Sequence, residues 1–262
     1  SHAARPQPPA PLVQGALVQG PQLAEEVESA KAVLRGEAFY DGPAGRHAFE
    51  VVANSLQLAS LPYYSALLDL SSYTSAQPDE NSQRLLSLVQ SPQRNVFYSV
   101  IEGLVDSLLA TDPDVVGISI PSMGQFLAGL TVAYLLRKHR YAGHITVGGP
   151  HITMLREEIP QVRELFGLID SAITFGGERP LLKLVEALAR GEPLDGVPNL
   201  VYRAGHDIRV TDWAEPVPLR ELPLPDFEGL DLSLYLVPDP VLPLITARGC
   251  YHGKCAFCNV GY

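Results

Sequence analysis

The three cysteines of the chain lie close together near its carboxyl end, as Cys250, Cys255 and Cys258. Three thiols cannot all pair as disulfides, and ligation of a soft metal is the better use for them. Three thiolates suit a 4Fe-4S cluster with one iron left open, whereas a closed zinc site needs a fourth protein ligand. His252 is a candidate for that ligand, but its place between the first two cysteines is poor, because zinc sites usually take their second ligand pair from a distant segment. The spacing therefore predicts a metal site and favours iron–sulfur over zinc.

Small and polar residues end three predicted strands earlier in the chain. They form the segments Ser119-Ile120-Pro121-Ser122, Gly148-Gly149-Pro150-His151 and Gly176-Gly177-Glu178. In open α/β sheets a ligand binds at the carboxyl ends of the strands, where glycine lets the backbone approach closely and helix N-termini supply N–H groups. We therefore expect a ligand site formed by these segments. None of them has the GxGxxG pattern, so dinucleotide binding is not supported.

An alternation of strands and helices positions these segments. The predicted strands and helices follow one another at 115–120, 126–139, 144–147, 153–166, 169–175 and 179–190. Strands that are apolar on both faces and joined by helices are typical of a parallel sheet that is covered on both sides. The sequence thus predicts an α/β, Rossmann-like domain over residues 113–213 that closes with a small hairpin at 199–202 and 207–210.

A helical region is predicted ahead of this domain, over residues 22–112. Its helices are expected at 23–34, 46–61, 81–90 and 95–109. Residues 63–73 are aromatic and apolar and fit either a strand or a loop. Residues 1–21 are rich in proline and predict a linker or a disordered lead.

A proline-rich linker is predicted after the domain, at 214–241, and it leads to a strand at 242–247. The last predicted unit, 242–262, therefore places the cysteines directly after a strand. The chain opens with Ser1-His2 and stops four residues after Cys258, which is what a fragment of a larger protein would show.

The composition excludes several classes of function. A hydrophobic content of 46% is ample for a buried core, and a net charge of -10 without a basic stripe disfavours a nucleic-acid partner. No apolar stretch approaches the roughly 20 residues needed to cross a bilayer, and the start of the chain has no secretory pattern. We expect a cytoplasmic protein with no membrane or nucleic-acid partner.

The cysteine segment resembles the start of a radical S-adenosylmethionine enzyme. The resemblance is carried by Arg248-Gly249-Cys250, by Cys255-Ala256-Phe257-Cys258 and by the apolar run 242–246 before them. It implies that the three thiolates hold a 4Fe-4S cluster, that the open iron chelates the methionine part of S-adenosylmethionine, and that Phe257 lies by the adenine. The chain has four residues between its first two cysteines where the commonest spacing of the family has three, which we interpret as a subfamily variant.

The strand ends resemble the cobalamin-binding domain that precedes the barrel in one branch of that family. The matching stretch is about 113–235 and includes Val-Gly-Gly-Pro-His, Gly-Gly-Glu-x-x-Leu and Leu-Pro-Leu-Pro-Asp-Phe. It implies that Ser119 and Ser122 hydrogen-bond the corrin or its nucleotide tail and that the strand-end glycines leave room for the tail. Glu178 is implied to cap the next helix or bind a ribose hydroxyl. His151 is a candidate for reaching the cofactor, although a solvated loop histidine is the more ordinary interpretation.

Two features depart from the cobalamin-binding pattern. The Asp-x-His-x-x-Gly motif that supplies a lower axial histidine does not occur. The opening strand–helix unit with its Asn-Pro-Pro-like end is not found ahead of the helical region either, so the sheet is expected to be short of strands.

Taken together, the resemblance implies the N-terminal part of a cobalamin-dependent radical S-adenosylmethionine enzyme. Its implied cofactors are a 4Fe-4S cluster, S-adenosylmethionine and cobalamin, and its implied reaction is methylation of an unactivated carbon of a peptide or natural product. A small-molecule or peptide substrate and an electron donor such as flavodoxin or ferredoxin are the implied partners. Two alternatives remain open: an oxidoreductase or cyclase with a vestigial cobalamin domain, and a cobalamin or nucleotide sensor with a structural zinc.

Overall fold

Two long helices open the computed structural model of the chain, which describes residues 7–75, 82–250 and 252–257. Helix α1 spans Ala10–Arg35 and helix α2 spans Gly42–Ser60. The Asp41 side chain begins α2 by accepting a hydrogen bond from the Ala44 N–H. The two helices pack along each other through a small core of buried apolar residues, namely Ala30, Leu34, Ala48, Val51 and Val52.

Helix α1 begins much earlier than the sequence predicts. The prolines of residues 1–21 predict a linker or a disordered lead, and this prediction is wrong for residues 10–21, which are helical. Pro11 is tolerated because the N–H groups of a first turn have no helical partner to lose. Pro21 lies inside α1 and removes one backbone hydrogen bond, a local cost that the packing of the second half of α1 on α2 offsets. Residues 1–6 lie outside the described residues.

Two short strands and two helices connect this pair to the main sheet. Strands β1 (Ala66–Leu68) and β2 (Tyr73–Ser75) pair with each other antiparallel, so the aromatic stretch at 63–73 supplies a strand and the start of another. Helices α3 (Ser82–Val89) and α4 (Tyr98–Leu109) follow, close to their predicted positions.

The main sheet has five described strands in the order β3-β4-β5-β6-β7. The strands span Val115–Ser119, His144–Gly148, Ser171–Ile173, Leu200–Ala204 and Asp207–Val210. The first three run parallel, and the last two form a hairpin that pairs antiparallel with β5. The predicted α/β fold with a Rossmann-like parallel sheet is confirmed, as is the hairpin, whose turn uses Gly205 at φ +64.

Helices cover this sheet on two sides. Helix α5 (Phe126–Lys138) packs with α3 and α4 against one face, and its buried leucines Leu127, Leu130, Leu135 and Leu136 belong to the largest apolar core. Helix α7 (Glu178–Arg190) lies on the other face, where Leu184 packs with Ile173 and Leu200. Gly191 ends α7 in a left-handed conformation, at φ +64.

The alternation of side chains along β3 and β4 divides the faces clearly. Val116, Ile145 and Val147 point into the core beneath α5. Successive residues of a strand point to opposite faces, so their neighbours Gly117 and Thr146 lie on the α7 face. Strand β3 is an edge strand, which among the described strands pairs with β4 alone.

Two predicted elements differ in the structure. The helix predicted at 153–166 is wrong: α6 spans only Pro150–Met154, and two single 3₁₀ turns follow at 159–161 and 163–167. Pro160 cannot donate the hydrogen bond that a continuous helix would need, which favours the shorter turns. The strand predicted at 242–247 is also wrong, because those residues form no strand with any described part of the chain and are exposed.

The chain beyond the hairpin crosses the molecule without regular strands. It touches the α1–α2 pair midway, where Arg35 donates to the Leu234 carbonyl at 3.3 Å, the Tyr40 hydroxyl donates to Asp239, and Leu236 packs on the small core. Within the described residues, no helix is both long and apolar enough to cross a membrane.

Candidate functional site

A cavity of about 420 Å³ opens where the three parallel strands end. It lies on the α7 face, and its described lining residues are Gly117, Ile118, Ser119, Thr146, Val147, Gly148, Gly149, Ile173, Phe175, Gly177, Glu178 and Leu181. We call this space the strand-end cavity. Its position is the one at which open α/β sheets bind ligands, and five of the residues predicted for a ligand site line it: Ser119, Gly148, Gly149, Gly177 and Glu178.

The glycines of the predicted site play different parts. Gly149 has φ +107, and a Cβ there would come within 2.8 Å of the Ile120 carbonyl oxygen, so the backbone itself requires glycine. Gly148 has room, since its Cβ would meet nothing closer than the Ile173 carbonyl oxygen at 3.5 Å. Gly177 is similarly open, with its nearest contact at 4.0 Å. Only Gly148 and Gly177 thus leave space that a ligand can use.

Three other predicted residues lie outside the strand-end cavity. Gly176 faces the chain beyond the hairpin, where its Cβ would lie 3.2 Å from the Pro216 Cβ. Ser122 is exposed, with its hydroxyl 3.4 Å from Gln125 Oε1. His151 is 7% exposed and packs edge-on against Phe126 at 5.1 Å, so the interpretation as a solvated loop histidine is wrong. Burial lowers the pKa of His151 and favours its neutral form.

A chain of hydroxyl groups lies under the floor of the cavity. The Ser171 hydroxyl donates to Thr146 Oγ1 at 2.9 Å, and Ser171 Oγ lies 2.8 Å from His144 Nε2. Thr146 and Ser171 are buried, so these bonds satisfy groups that would otherwise be costly to hide. The floor is therefore closed by internal hydrogen bonds, and Glu178 is the single ionisable side chain among the described lining residues.

Phe175 forms a wall of the cavity that the sequence analysis did not single out. Its backbone is left-handed, at φ +60, and its N–H donates to Thr153 Oγ1 at 2.8 Å. Its ring packs edge-on against Trp213 at 6.2 Å, and the Arg156 guanidinium lies 5.6 Å from the ring centre. Its position directly before the Gly-Gly-Glu segment is a signal that could have identified it.

Glu178 is held by a residue of the cysteine segment. Its carboxylate accepts a charge-assisted hydrogen bond from the Arg248 guanidinium, which lowers the pKa of Glu178. Arg248 stands two positions before Cys250, and Gly249 between them has φ +77. A ribose bound by Glu178 would therefore compete with Arg248 for the same carboxylate. The implied role of Glu178 as a helix cap is not observed, because α7 begins without a side-chain cap.

The cysteine loop presents its described thiols to solvent. Cys250 and Cys255 are free and exposed, and Cys258 lies outside the described residues. The N–H groups of Gly253 and His252 point at the Cys250 sulfur and lower the pKa of that thiol, which favours the thiolate that a metal would bind. The described part of the chain gathers no group of three His, Cys, Asp or Glu side chains in metal-binding positions. Phe257 is 91% exposed and has no packing partner there.

The chain is similar to a curated methyltransferase over part of its length. It is 30% identical over 174 residues to the uncharacterized methyltransferase PH0819 of Pyrococcus horikoshii, which covers 61% of this chain and 36% of the relative. The chain thus spans little more than a third of the length of that protein. No protein-family model matches the chain.

A comparison with solved structures finds a weak match to a methyltransferase. It is the radical S-adenosylmethionine methyltransferase TsrM from Kitasatospora setae, with a tryptophan substrate and the S-adenosylmethionine analogue aza-SAM bound. The match is 20% identical, has a TM-score of 0.37, and covers 44% of this chain and 22% of TsrM. A TM-score of 0.37 is too low to establish a common fold.

Proposed function

We propose that this chain forms the cobalamin-binding part and the first metal-binding loop of a methyltransferase that uses a 4Fe-4S cluster and S-adenosylmethionine. The observation that carries the proposal is the contact between its two candidate sites: Glu178 lines the strand-end cavity and also binds Arg248, two residues from Cys250. Similarity to a curated methyltransferase supports methyl transfer.

The strand-end cavity fits the tail of a cobalamin. Gly148 and Gly177 leave its mouth open, and its walls are apolar at Ile173, Phe175 and Leu181. The flat, largely apolar base at the end of the nucleotide tail suits such a space. Ser119 supplies a hydroxyl at the end of β3, where a polar part of the ligand can be bound.

The cysteine loop fits a cluster in its donor chemistry. The backbone around Cys250 stabilises a thiolate, and Cys255 is also exposed. Two described thiols and Cys258 make up the trio that leaves one iron of a cubane cluster without a protein ligand. When bound, these cofactors would supply the electron, the cleavage of S-adenosylmethionine and the methyl group, while the protein binds, orients and excludes water.

Metal and cofactor analysis tests the proposal. Anaerobic reconstitution is expected to give about four iron and four sulfide per chain, because three thiolates and one open site match that cluster. Cys255→Ala should abolish cluster assembly, whereas His252→Ala should leave it unchanged. Titration with methylcobalamin should give a saturable change in its absorption spectrum. Stoichiometric zinc without visible absorption, retained by the wild type and lost in His252→Ala, would support the sensor alternative instead.

The substrate and the electron donor belong to the same proposal. A peptide or natural product carrying an unactivated carbon is the proposed methyl acceptor, and flavodoxin or ferredoxin is the proposed source of electrons. Both follow from the resemblance of the cysteine segment and the strand ends to this family.

A further inference from the structure

Both ends of the long segment 214–248 are attached next to residues that line the strand-end cavity. We call this segment the strap. At its start, Asn199 binds both backbone groups of Ala214, and Pro216 packs against Gly176. At its far end, Arg248 binds Glu178. The strap leaves the cavity, passes the α1–α2 pair at 234–239, and returns to the same strand ends.

The two attachments differ in character. Asn199 is 5% exposed and its two hydrogen bonds are sheltered, so the start of the strap is fixed. The Arg248 and Glu178 side chains are 33% and 36% exposed, which leaves their ion pair open to water and salt. A pair of this kind adds little to global stability. Its contribution lies in where it holds the chain.

We propose that Glu178 is a positioning residue that latches the cysteine loop beside the strand-end cavity by binding Arg248. The purpose of the latch rests on the proposed function, because a group held by the thiols must face the ligand in the cavity. Trp213 marks the fixed end of the strap and packs on the cavity wall at Phe175. The latch therefore sets the separation between Trp213 and the cysteine loop.

Energy transfer between these two points measures the latch directly. Trp213 is the only tryptophan, and Cys255→Ser with Cys258→Ser leaves Cys250 as the single thiol for an aminonaphthalene sulfonate acceptor. Time-resolved Trp213 emission then resolves latched and open populations in the full 262-residue chain. Glu178→Gln in this background should lower the latched-to-open ratio by about twofold to fivefold, the range expected for a partly exposed ion pair.

Matched variants distinguish loss of the Glu178–Arg248 ion pair from a general change in the structure. Asp195→Asn removes the ion pair with Arg209, which spans 2.8 Å at the hairpin, and should leave the transfer unchanged. The exchange Glu178→Arg with Arg248→Glu should restore it. Salt at about 1 M should lower the transfer in the unexchanged background and have little effect in Glu178→Gln, because screening removes the same interaction.

The proposal would be wrong if neither the Glu178→Gln substitution nor added salt changes the energy transfer from Trp213 to the acceptor on Cys250. If Glu178→Gln loses helical circular dichroism, Arg248→Gln replaces it, since Arg248 lies outside every helix and strand. These measurements require neither cluster nor cobalamin. Failure of methylcobalamin to bind the wild type would therefore contradict the proposed function, while a salt-sensitive, Glu178-dependent transfer would still support the latch.

Discussion

The Asn199 side chain binds Ala214 at both of its backbone groups. Asn199 Oδ1 accepts from the Ala214 N–H at 2.8 Å, and Asn199 Nδ2 donates to the Ala214 carbonyl at 3.2 Å. Asn199 also has a left-handed backbone, at φ +56, a conformation that asparagine tolerates better than most residues. One side chain thus fixes the start of the strap to the residue that directly precedes β6.

Replacing Asn199 with alanine should destabilise the protein by about 2 kcal/mol or more, because two sheltered hydrogen bonds are lost and alanine disfavours positive φ. The midpoint of urea unfolding, followed by circular dichroism, measures the loss. Asn199→Gly removes the same hydrogen bonds without the penalty at φ and should unfold at a higher urea concentration than Asn199→Ala. Equal midpoints for Asn199→Ala and the wild type would show that the attachment of Ala214 is not stabilising.

Substitutions of the two adjacent glycines should change different properties of the protein, stability at Gly149 and ligand affinity at Gly148. Gly149→Ala should cost at least about 2 kcal/mol of stability, since a positive φ and a Cβ 2.8 Å from the Ile120 carbonyl oxygen both oppose it. Gly148→Ala should change stability little, because its Cβ would be 3.5 Å from its nearest neighbour. It should instead weaken methylcobalamin binding about tenfold, roughly 1.4 kcal/mol, by filling the mouth of the cavity. Thermal unfolding and absorption titration give the two quantities, and unchanged affinity in Gly148→Ala would contradict the assignment of the cavity.

Acid should destabilise the fold in part through His151. Its pKa is lowered by burial, so the folded state binds fewer protons than the unfolded state below the ordinary value of 6.5. This contribution to stability is complete above pH 6.5 and is lost as the pH falls through the folded pKa. His151→Phe, which keeps a ring against Phe126, should flatten the dependence of the unfolding free energy on pH over that window. His206→Gln, which replaces an exposed histidine, serves as the control for substitution at a surface position.

No histidine from the chain should bind the lower face of a bound cobalamin. The described lining of the strand-end cavity contains no histidine, and His151 is buried away from it. The electron paramagnetic resonance spectrum of the cob(II)alamin complex should therefore show the same nitrogen splitting, or none, in the wild type, His151→Phe and His144→Gln. A splitting that either substitution removes would place a histidine on the cobalt.

The elements that the sequence predicts well are those whose signal is local. Strands β3 and β4 are β-branched runs that end at glycine or serine, and α7 begins and ends at Glu178 and Arg190 beside glycines. The start of helix α1 is harder to predict, because its first half contains Pro21 and few buried residues. That half continues a helix whose second half packs on α2. Residues 153–166 have a helical pattern of apolar residues, but their carbonyls are satisfied by single turns.

The candidate site shows the same limit. Ser119, Gly148 and Glu178 could be placed at the cavity because each belongs to a segment at the end of a predicted strand. The bond from Arg248 to Glu178 joins residues 70 positions apart and has no periodicity that would reveal it. The attachment of Ala214 by Asn199 depends on a backbone conformation that residue type alone does not specify.

The route of the strap links a remote part of the molecule to the chemistry. Because the strap is attached at Ala214 and Arg248 and rests midway on the α1–α2 pair through Leu236, it forms a closed circuit of fixed contour length. A residue inserted or deleted between 217 and 231 would change the length of the strap. We expect that change to disturb its weaker attachment, the ion pair between Arg248 and Glu178. The two N-terminal helices are thus a third point of support for the strap, and a change in their position would be transmitted along it to the ion pair.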